Sequence, residues 1–316
     1  MKVIDLINSS KSTAFSFEIL PPLKGNSIQK VYNVIDKLIE FDPKYINITS
    51  HHSEYIYKTL PDGSFQKVNI RKRPGSVAIA SAIQNKYGIT AVPHIICKGF
   101  TKDETEYALI DLNFLGVYDL LLLRGDVKTL EAGQKTDIYH EHATDLQQQV
   151  NDFNKGIAID GSAFEANETP FSYGMACYPE KHEEAPNMDS DIFYLKEKVK
   201  NGADYLVTQM FFDNEKYYAF VDRCRAEGIT VPIIPGIKPI VFKNQLTVLP
   251  KIFRSDIPEP LATELRKCKT DDEAKAVGVE WCIQQCKDLI AHGVPSLHFY
   301  TMMASDSVYK VAKEVY

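Results

Sequence analysis

Short apolar runs alternate with helical patterns along almost the whole chain, and this alternation restricts the possible folds more than any other feature. The clearest run is the four consecutive leucines at 120–123, which indicate a strand buried on both faces, as in a parallel sheet. Eight such runs are predicted to be strands, over residues 14–20, 45–50, 90–97, 119–123, 171–178, 205–212, 231–239 and 296–301. Eight strand–helix units within 316 residues predict the α/β class, and specifically a (β/α)8 TIM barrel.

The segments between these strands carry helical signals. Helices are predicted over 27–40, 76–87, 102–114, 139–153, 190–201 and 215–227, followed by a longer helical region over 243–292 and a last helix from residue 305. Residues 51–72 are predicted to be a polar, irregular loop, and 154–170 an insertion, so that residues 1–316 form one domain. The alternative is a doubly wound open sheet, which has less support because no GxGxxG motif follows the first strand.

Composition excludes several classes of function. Hydrophobic residues make up 44% of the chain and charged residues 25%, as in a soluble globular protein with a sizeable core. The net charge of −6 gives no electrostatic footprint for nucleic acid. No apolar run approaches the ~20 residues that a membrane span needs, and residues 1–10, with Asp5 among them, are too short for a signal peptide. We therefore expect a cytoplasmic protein that binds neither nucleic acid nor a membrane.

The six cysteines predict no metal centre. They contain no CxxC pair, and Cys282 and Cys286, one helical turn apart, have no second pair or nearby histidine to complete a site. A zinc site is a weak alternative, with His51, His52, His94 and Glu18 as its ligands. Adjacent histidines such as His51 and His52 rarely fit one tetrahedral site. We expect reduced thiols, most of which pack as small apolar groups.

Polar residues stand at the carboxyl ends of most predicted strands, where barrels place their ligands. Glu18 is the most informative, because it interrupts an apolar run. Burial disfavours the charged form and raises a carboxyl pKa, which makes a proton donor near neutral pH. The alternative is an ion pair with a strand neighbour such as Arg124, and the pattern supports both interpretations equally.

Other strand ends are less specific. Arg124 and Asp126 flank Gly125, which permits a sharp turn or the close approach of a ligand, although a plain Arg–Asp pair is the simpler interpretation. His94 could be a base, a ligand contact or a satisfied core histidine. Four aromatic residues either pack in the core or stack on a planar ring at the barrel mouth: Phe211, Phe212, Phe299 and Tyr300.

Five motifs at these strand ends carry a resemblance. They are FSFEILPP at 15–22, LLRGD at 122–126, ACYPEKH at 176–182, TQMFFD at 208–213 and IPGI at 234–237. In this order they resemble the methylenetetrahydrofolate reductases, and the chain is similar to the short bacterial form, a catalytic barrel alone. The resemblance runs from Phe15 to Thr301. It implies an FAD-containing homo-oligomer that reduces 5,10-methylenetetrahydrofolate to 5-methyltetrahydrofolate with NADH or NADPH by ping-pong hydride transfer.

The resemblance also implies roles for individual residues. Glu18 would be the general acid that helps to open the five-membered ring of the substrate, and Asp126 would lie beside the flavin N1 and C2 carbonyl. Positions that match FAD contacts are Thr49, His94, Arg124, Gly125, Tyr178, His182, Asp191 and Lys198. On the substrate side the matching positions are Gln209, Gln245 and Tyr300, with Phe211 as a candidate ring contact.

Some positions depart from the family pattern. Residues 50–52 read SHH where the family commonly has YGA, and His142 stands where a tyrosine is common; His52 and His142 are therefore additional candidate cofactor contacts. Leu249 replaces an aromatic residue, and MMA at 302–304 replaces LNR, which removes an arginine partner for the folate tail. Two alternatives stay open: a flavin-free folate- or pterin-binding barrel of the methyltransferase type, and a flavin-binding relative with an altered substrate.

Overall fold

A computed structural model describes residues 1–51, 54–98, 100–125, 138–302 and 305–316. The helices are α1 Val3–Ser9, α2 Gln29–Leu38, α3 Ser76–Tyr87, α4 Lys102–Phe114, α5 Ala143–Asn154, α6 Met188–Lys200, α7 Asn214–Ala226, α8 Gln245–Phe253, α9 Glu259–Lys267, α10 Asp271–Ala291 and α11 Ser305–Val315. The strands are β1 Ala14–Ile19, β2 Tyr45–Ile48, β3 Glu54–Thr59, β4 Phe65–Ile70, β5 Thr90–Ile96, β6 Asp119–Leu123, β7 Ser172–Cys177, β8 Tyr205–Thr208, β9 Ile233–Ile234, β10 Gly236–Ile237 and β11 Ser296–Tyr300.

The predicted seventh strand is split into β9 and β10 by Pro235. Proline has no N–H to donate to a ladder, so the strand is interrupted there. β9 pairs in parallel with β8, and β10 pairs in parallel with β11. Counted as one, they bring the strands of the main sheet in the described residues to eight. The predicted α/β class, a (β/α)8 barrel, is confirmed.

The chain divides into two compact units, and the first comprises Met1–Ile19, Asn33–Asn47 and Ser172–Tyr316. In this unit β1 pairs with β11 in parallel, although the two strands lie about 280 residues apart in the chain. The ring of Phe15 packs against four other aromatic rings at centroid distances of 5.3–5.8 Å, those of Phe17, Phe41, Phe299 and Tyr316. These rings anchor the first strand to the last one.

The second unit comprises Leu20–Tyr32 and Ile48–Phe171. Its parallel pair is β5 and β6, and three of the leucines at 120–123 are fully or almost fully buried, as predicted. Helices α3 and α4 have the predicted bounds because their ends are marked by local chemistry. Gly88 ends α3 in the left-handed region at φ +67°, and a reciprocal capping box of Thr101 and Glu104 begins α4.

The prediction of an irregular loop over 51–72 is wrong. β3 and β4 form an antiparallel hairpin there, closed by a turn in which the Asp62 carboxylate accepts from the N–H and hydroxyl of Ser64. Ile56 is 46% exposed and Phe65 70% exposed, so the hairpin buries neither side chain. Its strands therefore lack the buried–exposed alternation by which a strand is recognised in a sequence.

Two further segments differ in detail from the predicted pattern. The helical region 243–292 consists of three helices, and Arg254, at φ +58°, ends the first of them. No helix or strand lies within 155–170, where one isolated bridge joins Ile157 to Ala163. The sequence patterns also identify no helix before the first strand, where α1 is found. Within the described ranges, no helix is both long and apolar enough to cross a membrane.

Gly278, in the middle of α10, provides a test of this packing. Replacing a helical glycine by alanine normally stabilises a helix by about 1 kcal/mol. Here the new Cβ would lie 2.0 Å from the Ile240 carbonyl oxygen, a backbone atom that cannot rotate away. We expect Gly278→Ala to lower the free energy of unfolding by roughly 1–3 kcal/mol in chemical denaturation.

Gly75→Ala is the matched control for that variant. Gly75 has φ −69°, and no atom lies within 4 Å of a Cβ built there. Because Gly75 is the N-cap of α3, where alanine is less favourable than glycine, the substitution should lower the free energy of unfolding by no more than about 1 kcal/mol. A Gly278→Ala protein as stable as the control would contradict the close approach of α10 to residue 240.

Candidate active site

Glu18 lies one residue before the end of β1, a strand whose six residues are all buried. Its backbone pairs with Tyr300 of β11, and two residues earlier Ser16 pairs with His298. The Ser16 Oγ atom lies 3.0 Å from His298 Nδ1, so these two side chains face the same side of the sheet. Because side chains alternate along a strand, Glu18 and Tyr300 share that side. The Glu18 residue is only 8% exposed.

Burial is the main influence on the Glu18 carboxyl. It raises the pKa of Glu18 from 4.5 to about 7, and the positive charge of Lys238 opposes part of that rise. Near neutral pH the carboxyl is therefore present in both forms, and the protonated form can donate to a substrate atom. The burial that the sequence predicted for Glu18 is observed, and its role as an acid stays a prediction.

Tyr300 reaches from β11 towards β8. Its hydroxyl donates to the Thr208 carbonyl oxygen at 2.6 Å, and the Thr208 hydroxyl accepts from the Gly236 N–H at 2.8 Å. A Cβ at Gly236 would lie 2.5 Å from Tyr300 Cε2, so the ring packs directly on the Gly236 backbone. Thr301 Oγ1 donates to the Glu18 carbonyl oxygen at 2.5 Å and joins the end of β11 to β1. The surroundings of Glu18 are thus fixed by backbone contacts.

The layer at the level of Ser16 is polar but uncharged. His298 is fully buried, which lowers its pKa to about 3 and keeps its imidazole neutral. Its ring stacks on Tyr45 with centroids 6.0 Å apart and planes 4° apart. The Nε2 atom of His298 has no hydrogen-bond partner among the residues that the structure describes. This histidine therefore adds no charge to the interior beside Glu18.

Four predicted cofactor contacts lie together where β7 ends and α6 begins. Asp191 Oδ2 accepts from the His182 N–H at 2.8 Å, and the His182 ring meets the Tyr178 ring edge-on at 4.7 Å. The Lys198 ammonium donates to the Ala176 carbonyl oxygen at 3.0 Å. All four side chains are half-buried. The first unit therefore gathers ring faces, hydrogen-bond donors and charges of both signs in one partly open group.

Gln209 and Gln245, the predicted substrate contacts, are half-buried and have fixed amide orientations. Gln209 Oε1 accepts from the Met210 N–H at 2.9 Å. Gln245 Oε1 accepts from the N–H groups of Val241 and Phe242, at 2.7 and 3.1 Å. These backbone N–H groups fix the orientation of each amide, and the NH₂ group of each side chain is its hydrogen-bond donor.

Phe211, the predicted ring contact, is fully buried. Its ring stacks on Tyr217 with centroids 5.2 Å apart, and its carbonyl oxygen accepts from Gln285 Nε2 at 2.9 Å. Of the two interpretations that the sequence left open, core packing describes this geometry, while a substrate contact stays a prediction. Leu249, which departs from the family pattern, is likewise a core residue and packs with Met210.

The second unit carries the other described cofactor candidates, which are Thr49, His94, Arg124, Gly125 and His142. His94 is buried within β5. Gly125 follows β6 at φ +80°, and a Cβ there would lie 3.3 Å from Ile96 Cβ, so the turn after the leucine strand favours glycine. His142 is the exposed N-cap of α5, and its N–H donates to Asp145 Oδ2 at 2.9 Å.

Two predicted contacts, His52 and Asp126, lie outside the described residues. The same holds for residues 303 and 304 of the altered motif that follows the eighth strand. Their roles stay predictions that rest on the resemblance.

Lys238 is a candidate to which the sequence patterns gave no role. It directly follows β10, is only 5% exposed and interacts electrostatically with Glu18. Its signal in the sequence is of the same kind as that of Glu18, a single charge within an apolar run, here IIPGIKPIV at 233–241. The sequence alone does not show that Lys238 and Glu18 are neighbours, because this depends on the strand register.

Comparison with known proteins gives a consistent result over the whole chain. The family model described as methylenetetrahydrofolate reductase matches residues 2–316. A 5,10-methylenetetrahydrofolate reductase of Escherichia coli (strain K12) is 30% identical over 297 residues, which are 94% of this chain and 88% of that protein.

Eukaryotic relatives are longer than this chain. A probable methylenetetrahydrofolate reductase (NADPH) of Caenorhabditis elegans is 30% identical, covering 99% of this chain and 43% of its own length. Methylenetetrahydrofolate reductase (NADH) 1 of Arabidopsis thaliana is also 30% identical, covering 97% of this chain and 49% of its own length. The chain thus spans about half the length of these relatives.

A solved structure supports the fold. It is an uncharacterized protein from Clostridium thermocellum that binds two copies of 5-methyl-5,6,7,8-tetrahydrofolic acid. The two chains align with a TM-score of 0.54 at 15% identity, and 98% of each chain is covered. At this identity the likeness concerns the fold alone.

The pKa of Glu18 makes a prediction about stability. A carboxyl whose pKa is higher in the folded state contributes stability below pH 4.5, and this contribution is lost as pH rises through about 7. Glutamine at this position is always neutral. We therefore compare the free energies of unfolding of Glu18→Gln and wild type. The difference, Glu18→Gln minus wild type, should increase by about 3 kcal/mol from pH 4 to pH 8.5.

The measurement is reversible chemical denaturation of both proteins at several pH values. Glu314→Gln, which removes an exposed carboxyl on α11, is the matched control. A difference between wild type and Glu18→Gln that is independent of pH would show that Glu18 titrates as an ordinary exposed carboxyl.

Proposed function

Because the chain belongs to the methylenetetrahydrofolate reductase family, we propose that it reduces 5,10-methylenetetrahydrofolate to 5-methyltetrahydrofolate, with NADH or NADPH as electron donor and FAD as bound cofactor. The observation that carries this proposal is the buried carboxyl of Glu18, with its pKa near 7, at the carboxyl end of the first strand. A buried strand that ends in a half-protonated acid is suited to proton donation near neutral pH.

The residues at the end of β7 fit a cofactor that carries both a planar ring and phosphates. Lys198 and His182 supply donors for anionic oxygens, Tyr178 supplies a ring face, and Asp191 supplies an acceptor for ribose hydroxyls. We propose that these four residues hold FAD, and the roles of Thr49, His94, Arg124, Gly125 and His142 as FAD contacts rest on the resemblance. When bound, FAD supplies hydride transfer between nicotinamide and folate, which no side chain can perform.

Glu18 supplies the proton for ring opening in this proposal. Its protonated carboxyl donates to a ring nitrogen of the substrate as the C–N bond of the five-membered ring breaks, which leaves an iminium cation and a Glu18 carboxylate. The raised pKa supports this role because a carboxyl with an ordinary pKa would be almost fully ionised at pH 7.

Gln209 and Tyr300 position the substrate in this proposal. The Met210 N–H fixes the orientation of the Gln209 amide, and the NH₂ group of Gln209 would donate to a pterin or nicotinamide carbonyl. The Tyr300 hydroxyl is occupied by the Thr208 carbonyl, so Tyr300 would contribute its ring surface. Both side chains are held by backbone atoms and are therefore preorganised for binding.

The first experiment is an anaerobic visible spectrum of the purified protein before and after addition of NADH or NADPH. We expect flavin absorbance that bleaches with the nicotinamide and returns with methylenetetrahydrofolate. A colourless protein would favour the flavin-free pterin-binding barrel. A flavin that bleaches but does not return with this folate would favour a relative with another substrate.

Glu18→Gln separates the two half-reactions. We expect it to keep FAD and its reduction by the nicotinamide, and to slow reoxidation by methylenetetrahydrofolate by about 10²–10⁴, the usual contribution of a general acid. Stopped-flow absorbance of each half-reaction measures this, with Glu314→Gln as the control. Full folate activity in Glu18→Gln would remove this residue from the mechanism.

Asp126→Asn tests the second proposed catalytic group. A fixed negative charge beside the flavin stabilises a nearby cationic iminium and opposes an anionic reduced flavin. We therefore expect Asp126→Asn to slow the folate half-reaction more than the nicotinamide half-reaction. Equal losses in both half-reactions would indicate that Asp126 has a structural role alone.

A further inference from the structure

Lys238 lies at the same level of the first unit as Glu18. In the register of β10 and β11, Gly236 pairs with His298 and Ile237 with Phe299, so the next position, Lys238, comes beside Tyr300. Tyr300 in turn pairs with Glu18 in the register of β11 and β1. Lys238 thus directly follows the paired end of β10 next to β11, and Tyr300 stands beside Glu18, with neighbouring strands about 5 Å apart.

Both charged members of this row are buried. Lys238 is 5% exposed and Glu18 is 8% exposed. Lysine is almost never this deeply buried without a partner, because desolvation of an ammonium is costly. Lys238 makes no hydrogen bond to any residue in the part of the chain that the structure describes. Neither a direct ion pair nor a structural hydrogen bond therefore explains why Lys238 is buried.

The charged surroundings of Glu18 are simple. Lys238 and Tyr300 are the titratable groups of the first unit that interact electrostatically with it in the described residues. The pKa of Tyr300 is raised well above its ordinary value, mainly by burial, so its phenol stays protonated. Burial lowers the pKa of Lys238, and both Glu18 and Cys282 of α10 oppose this lowering. Lys238 is therefore the one described positive charge in this unit that acts on the Glu18 carboxyl.

We propose that Lys238 is the electrostatic partner of Glu18, and that its ammonium stabilises the carboxylate left in the buried interior after Glu18 has given its proton to the substrate. This inference rests on the proposed function. In the step concerned, the O–H bond of the Glu18 carboxyl breaks, an N–H bond forms on the folate, and the carboxyl becomes a carboxylate. Lys238 keeps its own protons and acts as a positioning charge.

The separation of the two groups matters for this role. An isolated carboxylate in a buried site costs several kcal/mol, so proton donation into the interior would be unfavourable without a counter-charge. A lysine in direct contact would stabilise the carboxylate so strongly that Glu18 would be ionised before it met the substrate. Lys238 lies one strand away from Tyr300 and two strands away from Glu18. From there its charge lowers the free-energy cost of forming the carboxylate, and the Glu18 carboxyl is still partly protonated near neutral pH.

The test is a direct titration of the Glu18 carboxyl in the protein without folate. Infrared difference spectra against Glu18→Gln identify the carboxyl band, and its pH dependence gives the midpoint. We expect Lys238→Met, which keeps the length of the side chain and removes its charge, to raise this midpoint by about one pH unit or more. Lys238→Arg should restore the wild-type midpoint, and Lys251→Met, at an exposed position of α8, should not move it.

The kinetic readout is the folate half-reaction. We expect Lys238→Met to slow it about threefold at pH 6, where Glu18 is mostly protonated in both proteins, while the nicotinamide half-reaction stays unchanged, because the rate of proton donation follows only part of a tenfold change in the acid dissociation constant. An unchanged Glu18 midpoint in Lys238→Met would overturn the proposal. A higher KM for folate with that midpoint unchanged would overturn it too, since Lys238 would then be a substrate contact.

Two features keep the result interpretable. If Lys238→Met does not fold, Lys238→Gln removes the same charge with a polar side chain, and the same shift of the midpoint is expected. The titration needs neither folate nor turnover, so it decides the Glu18–Lys238 interaction even if the wild-type protein fails to reduce methylenetetrahydrofolate. That failure would end the proposed function, whereas an unchanged midpoint would end only the proposed role of Lys238.

Discussion

The parallel pairing of β1 with β11 is the contact on which the candidate site depends. It joins Glu18 to Tyr300 in register, although the two residues lie at opposite ends of the chain. Pairing of β11 with β10 then adds the seventh strand to the same row. A shift of one residue in either register would turn the side chains to the other face of the sheet. The positions of the acid, the tyrosine and the lysine are therefore one consequence of strand register.

Burial of the residues brought together by this register changes their pKa values. Phe15, Phe17 and Phe299 cover one face of the β1–β11 pair, and Glu18 lies on the other face together with the buried side chains of Ser16 and His298. Burial raises the pKa of Glu18 to about 7 and lowers the pKa of Lys238 from its ordinary value, so the Glu18 carboxyl can donate a proton near neutral pH. The packing that stabilises the unit is thus the reason that a protonated carboxyl is available near neutral pH for the proposed reaction.

Sequence reasoning succeeded where the signal is local. The bounds of α3 and α4 follow from Gly88 and from the capping box of Thr101 and Glu104. It failed at the β3–β4 hairpin, whose exposed side chains carry no alternation of burial, and it identified no α1 helix. Four candidates at the end of β7 lie close together because they are within about 20 residues of each other on one strand–helix unit.

The sequence alone determined the fold class, the buried position of Glu18 and the family, since alternating apolar runs and short motifs are properties of neighbouring residues. Only the tertiary structure decided that Lys238 stands in the row of Glu18, that Tyr300 packs on Gly236, and that Phe211 is enclosed by the core. Each of these depends on which strands are adjacent and in which register. That information arises from hydrogen bonds between distant segments, and no local pattern of residues encodes it.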